Sequence, residues 1–135
     1  MKQIPPIKSV MTPFPYSIDI AAPLQRAAEL MAEHEITHLP VLDAGRPAGL
    51  LTADALRRAA GKAAIGNAEI TEAYVVELGE PLDVVLIQMA RRNVDAALVV
   101  KDDRLVGIFT RTDACRSFGE LLRTLFPRDH DDDAA

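Results

Sequence analysis

Thr110 and Asp113 stand three residues apart at the end of an apolar run, Gly107-Ile108-Phe109-Thr110-Arg111-Thr112-Asp113, with a guanidinium between them. A carboxylate is an acceptor-only group with two oxygens, so one Asp can hold both the 2′- and 3′-hydroxyls of a ribose. A helix starting at Asp113 aims free N–H groups and a partial positive charge at its mouth, an arrangement that favours a phosphate. Arg111 can offer the same phosphate a bidentate donor. Thr and Asp are also favoured helix N-caps, each contributing about 1 kcal/mol, so the pair has a purely structural use beside the chemical one.

The phrase occurs twice. Gly49-Leu50-Leu51-Thr52-Ala53-Asp54 lies 58 positions earlier, one residue shorter and with alanine in place of Arg111. The offset runs without a gap from Tyr16/Tyr74 to Thr52/Thr110, and Pro23/Pro81, Leu24/Leu82, Met31/Met89, Val41/Val99, Arg46/Arg104 and Gly49/Gly107 are identical. Identity and apolar pattern shared at one offset mark an internal duplication. Neighbouring positions on a helix are rotated by about 100°, so without a local shift Asp54 cannot take the place on its helix that Asp113 takes. The second copy of the phrase is therefore expected to be the competent one.

Period and punctuation place the elements around these residues. Pro5, Pro6, Pro13 and Pro15 forbid helix and predict an extended lead-in, with Val10-Met11-Thr12-Pro13 lying against the domain. Tyr16 to Ile18 reads as a short strand. Pro23 suits the first turn of a helix, and Leu24, Ala27, Ala28 and Met31 follow at helical spacing. His38 to Leu42 and Ala48 to Thr52 read as a hairpin about Asp43-Ala44-Gly45-Arg46-Pro47, followed by an alanine-rich helix from Asp54 to Ala60. In the second half Leu82, Val85, Leu86 and Met89 repeat the helix stripe, while Val84 and Ile87 add apolar surface where the first helix has Arg26 and Glu29. A helix apolar on more than one face needs a second partner. Ala96 to Lys101 and Leu105 to Thr110 form the second hairpin about Asp102-Asp103. A closing helix from Asp113 to Phe126 is expected to turn Cys115, Phe118, Leu122 and Leu125 inward, until Pro127 stops it.

At 135 residues the chain can bury one core without metal or disulfide support. It is 49% apolar but only 4% aromatic, so that core must be Ala, Val, Leu and Ile in close helix-on-sheet packing. The net charge is −5, of which residues 127–135 carry −3, and no basic patch of the kind a nucleic-acid surface needs is present. That tail reads as a solvated acidic extension, and nothing near its His130 fixes the geometry of a metal site. A lone cysteine excludes an internal disulfide and fits a reducing compartment. With no apolar leader and no run near the roughly 18 apolar residues of a membrane span, a soluble cytoplasmic protein is expected.

Val10-Met11-Thr12, the Pro23 helix, Ile36-Thr37-His38-Leu39-Pro40-Val41 and the doubled Gly-apolar-apolar-Thr phrase together resemble the CBS domain (named for cystathionine β-synthase). The duplication resembles the family's tandem pair, and the likeness covers residues 8 to 120. It implies an α+β fold of two β-α-β-β-α repeats packed sheet to sheet about a pseudo-twofold axis. The whole chain 1–135 would be one such module: repeat 1 over 8–60, a linker over 61–70, repeat 2 over 71–126 and the acidic tail over 127–135. The resemblance further implies an adenosyl ligand (AMP, ADP, ATP or S-adenosylmethionine) held in clefts between the repeats as a regulatory ligand, with no cofactor required, and a homodimer of two pairs. By the same likeness Asp113 contacts the ribose, Thr110 lies near the phosphates beside Arg111, and Thr37 and His38 line a cleft. Thr12, Thr52 and Asp54 complete the candidate set. Adenine needs an apolar slot with backbone hydrogen bonds, which strand residues such as Ala96 to Leu98 can give.

This sequence departs from the pattern where Asp95 and Ala96 stand in the second repeat for Thr37 and His38, and a carboxylate there would repel a polyphosphate. The function that follows is a stand-alone regulatory module that binds an adenosyl ligand and signals to an effector protein. The alternative is a protein-interaction or structural dimer with vestigial clefts. No enzyme is expected, because the sequence pairs no nucleophile with a base, sets no two carboxylates in a predicted cleft and has no metal spacing such as Cys-x-x-Cys.

Overall fold

Two prolines, Pro23 and Pro81, end extended approaches and open helices in the same way, and the rest of the backbone keeps that correspondence. The computed structural model describes residues 3–59, 64–65 and 70–128. The acidic tail from 129 onward, with His130, lies outside the described residues, as does most of the linker.

After a 3-10 turn at Ile7–Ser9 come β1 (Thr12–Pro13), β2 (Ile18–Asp19), α1 (Leu24–His34), β3 (His38–Asp43), β4 (Arg46–Thr52) and α2 (Ala53–Arg58). The second half holds β5 (Tyr74–Glu77), α3 (Leu82–Arg92), β6 (Ala96–Lys101), β7 (Arg104–Thr110) and α4 (Arg111–Leu125). Helices α1 and α3 both end on a left-handed residue, Glu35 (φ 54°) and Asn93 (φ 53°). Ala44-Gly45 and Asp102-Asp103 both have positive φ, as a two-residue type I′ hairpin turn requires. Bulges fall between Val41 and Leu42 and between Val99 and Val100. Each of these features recurs at the offset of the sequence repeat.

One sheet has the order β2-β3-β4 and the other β1-β7-β6-β5. In each, the crossover helix joins two parallel strands, β2 to β3 and β5 to β6, and a hairpin supplies the next. Alternation along the inner strands explains why these are almost continuously apolar. Leu39, Val41 and Leu51 face α1 and α2 and pack with Leu24, Ala27, Leu30 and Met31. Ala97, Val99 and Phe109 likewise face α3, with Val85 and Met89. The alternate residues Leu50, Ala96, Leu98 and Ile108 meet in a third cluster, where sheet packs on sheet.

The lead-ins are exchanged between the halves. Thr12 and Pro13 pair with Ile108 and Gly107 of β7, and Pro6 bridges to Pro81. The linker does the reverse: Thr71 bridges to Leu50 of β4 and Ala64 to Pro23. Ile7 and Ile65, fully buried, anchor the two segments through N–H donation to the carbonyls of Glu80 (2.8 Å) and Ala22 (3.2 Å). This crossing explains the glycines that open the doubled phrase. A Cβ on Gly107 would overlap Met11 Sδ, and one on Gly49 would overlap Ile70 and stand 2.9 Å from the Thr71 carbonyl. Only glycine lets the other half's lead-in lie so close.

Three expectations need correction. Cys115, Phe118, Leu122 and Leu125 do not face inward: Cys115 is exposed, and the other three are 58%, 42% and 57% exposed. Helix α4 has no buried residue and touches the second core only through Ala114. Its stripe is real, but among the described residues no element covers it. In α1, Leu30 joins Leu24, Ala27 and Met31 in the buried stripe, and Ala28, at its edge, is exposed. The first strand is Ile18–Asp19, two residues paired with Val41 and Leu42, and Tyr16 lies outside it.

Candidate ligand-binding site

Thr52 and Thr110 end β4 and β7 and cap the helices that follow. Thr52 Oγ1 accepts the Ala55 N–H at 3.1 Å, and Thr110 Oγ1 accepts the Asp113 N–H at 3.2 Å. In the second half Asp113 Oδ2 accepts the Thr110 N–H in return at 2.9 Å, which closes a capping box. The other Asp113 oxygen takes Arg116 Nη1 at 3.1 Å, and the side chain is only 14% exposed. In the first half Ala55 holds the place of Asp113 behind the cap, and Asp54, one position nearer, pairs with Arg57 and is 69% exposed. This one-position difference makes one aspartate a held wall and the other a surface group.

Strand register brings the remaining candidates to the same place. His38 is the cross-strand partner of Thr52, and the Thr37 carbonyl accepts the Ala53 N–H at 2.9 Å. The Asp95 carbonyl accepts the Arg111 N–H at 3.0 Å, the same contact one repeat later. Side chains then link the halves: Thr37 Oγ1 lies 3.0 Å from His38 Nδ1, and His38 Nε2 lies 3.9 Å from Asp95 Oδ2. Asp95 Oδ1 takes Arg111 Nε at 3.2 Å, and Arg111 also donates to the Val94 carbonyl (3.2 Å) and to Asn93 Oδ1 (2.8 Å). The guanidinium read from sequence as a phosphate donor is therefore held by three acceptors of its own half.

These groups enclose a cavity of about 770 Å³ between the two halves. Thr12 lines it from the exchanged lead-in, Thr37, His38, Thr52 and Asp54 from the first half, and Thr110, Arg111 and Asp113 from the second. Sequence reasoning overlooked Phe14 and Tyr16 on the same wall. Phe14 is 82% exposed with φ 47°, and its N–H donates to the Val106 carbonyl at 2.9 Å. Tyr16 stacks on His34 with ring centroids 3.6 Å apart. Their signal is the run Pro13-Phe14-Pro15-Tyr16, two aromatics beside prolines in a chain that has few aromatics, where period and punctuation speak only for an extended approach and a short strand.

Among the described residues, the counterpart of this cleft by the repeat is a small pocket of about 80 Å³. Tyr74 lies where Tyr16 lies in the other, but is 7% exposed, with the Arg92 guanidinium 4.5 Å above its ring. Burial pushes its hydroxyl above the usual 10.0 despite the opposing pull of Arg92, and the ring packs into the second core while bordering the small pocket. The four-residue β5 holds it there, where β2 has two residues and leaves Tyr16 outside. Among the described residues no cluster of His, Cys, Asp and Glu is placed to hold a metal ion, and no helix is long and apolar enough to cross a membrane.

Comparison with known proteins agrees with this architecture. The family model of the CBS domain matches twice, over residues 7–62 and 67–120. L-aspartate semialdehyde sulfurtransferase of Methanocaldococcus jannaschii is 31% identical over 117 residues; the match takes 84% of this chain but spans only 23% of that protein. Among solved structures, the CBS domain pair of protein MJ0100 in complex with 5′-methylthioadenosine and S-adenosyl-L-methionine is 30% identical, with a TM-score of 0.76 over 88% of this chain and 99% of that one. CBSX2 in complex with AMP gives a TM-score of 0.74 over 88% of this chain and 99% of its own, and at 22% identity it bears on the fold alone.

Proposed function

The chain belongs to the CBS-domain family, and on that premise we propose that it is a regulatory module whose inter-repeat cavity takes an adenosyl ligand and passes its occupancy to another protein. The observation that carries this reading is convergence: Thr12, Thr37, His38, Thr110 and Asp113, drawn from three separate segments, reach one cavity. Its volume lies within the roughly 300–1,000 Å³ of small-molecule sites. Asp113 is the ribose acceptor; each carboxylate oxygen can accept a further hydrogen bond beyond its capping or Arg116 contact. Thr110, Thr37 and His38 face the remainder of the ligand, and Phe14 and Tyr16 offer flat apolar surface to a base. A relative 30% identical that holds two adenosyl compounds supports the choice of ligand class. A thermal-shift panel of adenosine, AMP, ADP, ATP, S-adenosylmethionine and NAD tests it. A ligand present at 100 times its Kd should add about 2.7 kcal/mol of stability. No shift with any of them would sink the proposal.

Signal output through assembly is the second part of the reading, and it comes from the uncovered helix faces. Val84 and Ile87 on α3 are 38% and 51% exposed, and Phe118, Leu121, Leu125 and Phe126 on and after α4 are 58%, 52%, 57% and 71% exposed. Apolar surface of this extent points to a partner, and a second copy supplies the same two helices. Sedimentation should report a dimer at micromolar concentration, and the Val84→Glu, Ile87→Glu double variant should be monomeric or insoluble. A wild-type monomer would refute the assembly.

A further inference from the structure

Four carboxylates, Glu35, Asp54, Asp95 and Asp113, line the cavity against two guanidiniums, Arg57 and Arg111. Neither cation is free: Arg57 is paired with Asp54 and Arg111 with Asp95. Arg116 reaches Asp113 from outside the lining, and counting it still leaves the set negative, because Glu35 forms no ion pair among the described residues. Most of the backbone donors that a phosphate would use are committed as well. At the mouth of α4 the Arg111 N–H goes to the Asp95 carbonyl and the Asp113 N–H to Thr110 Oγ1. At the mouth of α2 the Ala53 N–H goes to the Thr37 carbonyl and the Ala55 N–H to Thr52 Oγ1. The usual attraction of helix N-termini for anions is thus largely answered from within the protein.

Resting on the adenosyl reading, we infer that this cavity selects adenosyl compounds without phosphate, uncharged or cationic, and rejects nucleotides. A phosphate would bring negative charge among unbalanced carboxylates with no uncommitted guanidinium to meet it, whereas a neutral nucleoside meets no such field and a sulfonium is attracted by it.

Titration calorimetry of the full chain with adenosine, S-adenosylmethionine, AMP and ATP tests this. Adenosine should bind at least about tenfold tighter than AMP and S-adenosylmethionine tighter than ATP, with the gaps narrowing as salt shortens the Debye length below about 10 Å. Asp95→Asn removes a carboxylate and releases Arg111, and should raise the affinity for AMP relative to adenosine. Glu35→Gln, at an exposed position, should move the same ratio in the same direction even if Asp95→Asn folds poorly. AMP or ATP binding as tightly as adenosine, a gap that ignores salt, or a ratio unmoved in both variants would overturn the selectivity while leaving an adenosyl module. Failure of every adenosyl compound to bind would instead overturn the reading on which it rests.

Discussion

Asp113→Ala should weaken the adenosyl ligand about ten- to a hundredfold, because it removes the acceptor of both ribose hydroxyls and leaves them unpaired in a confined site. Asp54→Ala should cost far less affinity. Asp113 is 14% exposed and fixed by Thr110 and Arg116, whereas Asp54, one position nearer its own cap, is 69% exposed and paired with Arg57. Asp113 also closes the α4 capping box, so its loss should lower stability by about 1 kcal/mol as well. Asp113→Asn keeps an acceptor for the Thr110 N–H and separates the two effects: stability should return while ribose binding recovers only in part. Calorimetry with the compound chosen by the thermal panel, well below the melting temperature, reads the affinities. Equal losses at Asp54 and Asp113 would refute the asymmetry of the two halves.

Phe109→Ala should cost about 3–5 kcal/mol in urea unfolding, a third or more of the stability of a typical domain. Phe109 is 0% exposed at the centre of the second core, where Tyr74, Val85, Met89, Ala97 and Val99 surround it, and it is the largest fully buried side chain. The chain has few aromatics, so nothing nearby can expand into the space. Phe118→Ala, on the uncovered face of α4, should by contrast leave the monomer's stability within about 0.5 kcal/mol. A loss at Phe109 below about 1 kcal/mol would mean that this core is not close-packed.

How far these arguments could have been made from sequence depends on the range of the interaction involved. Repetition placed the hairpins, the crossover helices and both capping threonines, because each is decided within a dozen residues by period, proline and turn chemistry. The exchanged lead-ins were not legible. A two-residue strand between prolines carries no periodicity, and its partner is β7, at the far end of the chain. The inward reading of α4 failed for a related reason: an apolar stripe records that a face wants cover and is silent on whose. In the candidate site, Thr110, Asp113, Thr37 and His38 could be read because they sit at element ends, where residue type and position are coupled. The commitment of Arg111 to Asp95, Asn93 and Val94 could not, since it depends on how closely the start of α4 lies against the end of α3.

The crossing of the lead-ins also sets an order of events as the chain is made. The first half can close on residues that follow it directly, since Thr71 and Ala64 are synthesised soon after Leu50 and Pro23. On the arm that precedes β2, Pro6 and Ile7 can meet Pro81 and Glu80 once α3 begins, but Thr12 and Phe14 must wait for β7 before they have a partner. Contacts of such sequence separation carry the largest loop-closure cost and are slow to form. Since Thr12 and Phe14 are part of the cavity wall, the cavity is completed only when β1 has met β7. A nascent or truncated chain would accordingly carry most of the fold without the ligand site, and ligand competence would report that synthesis had run past β7.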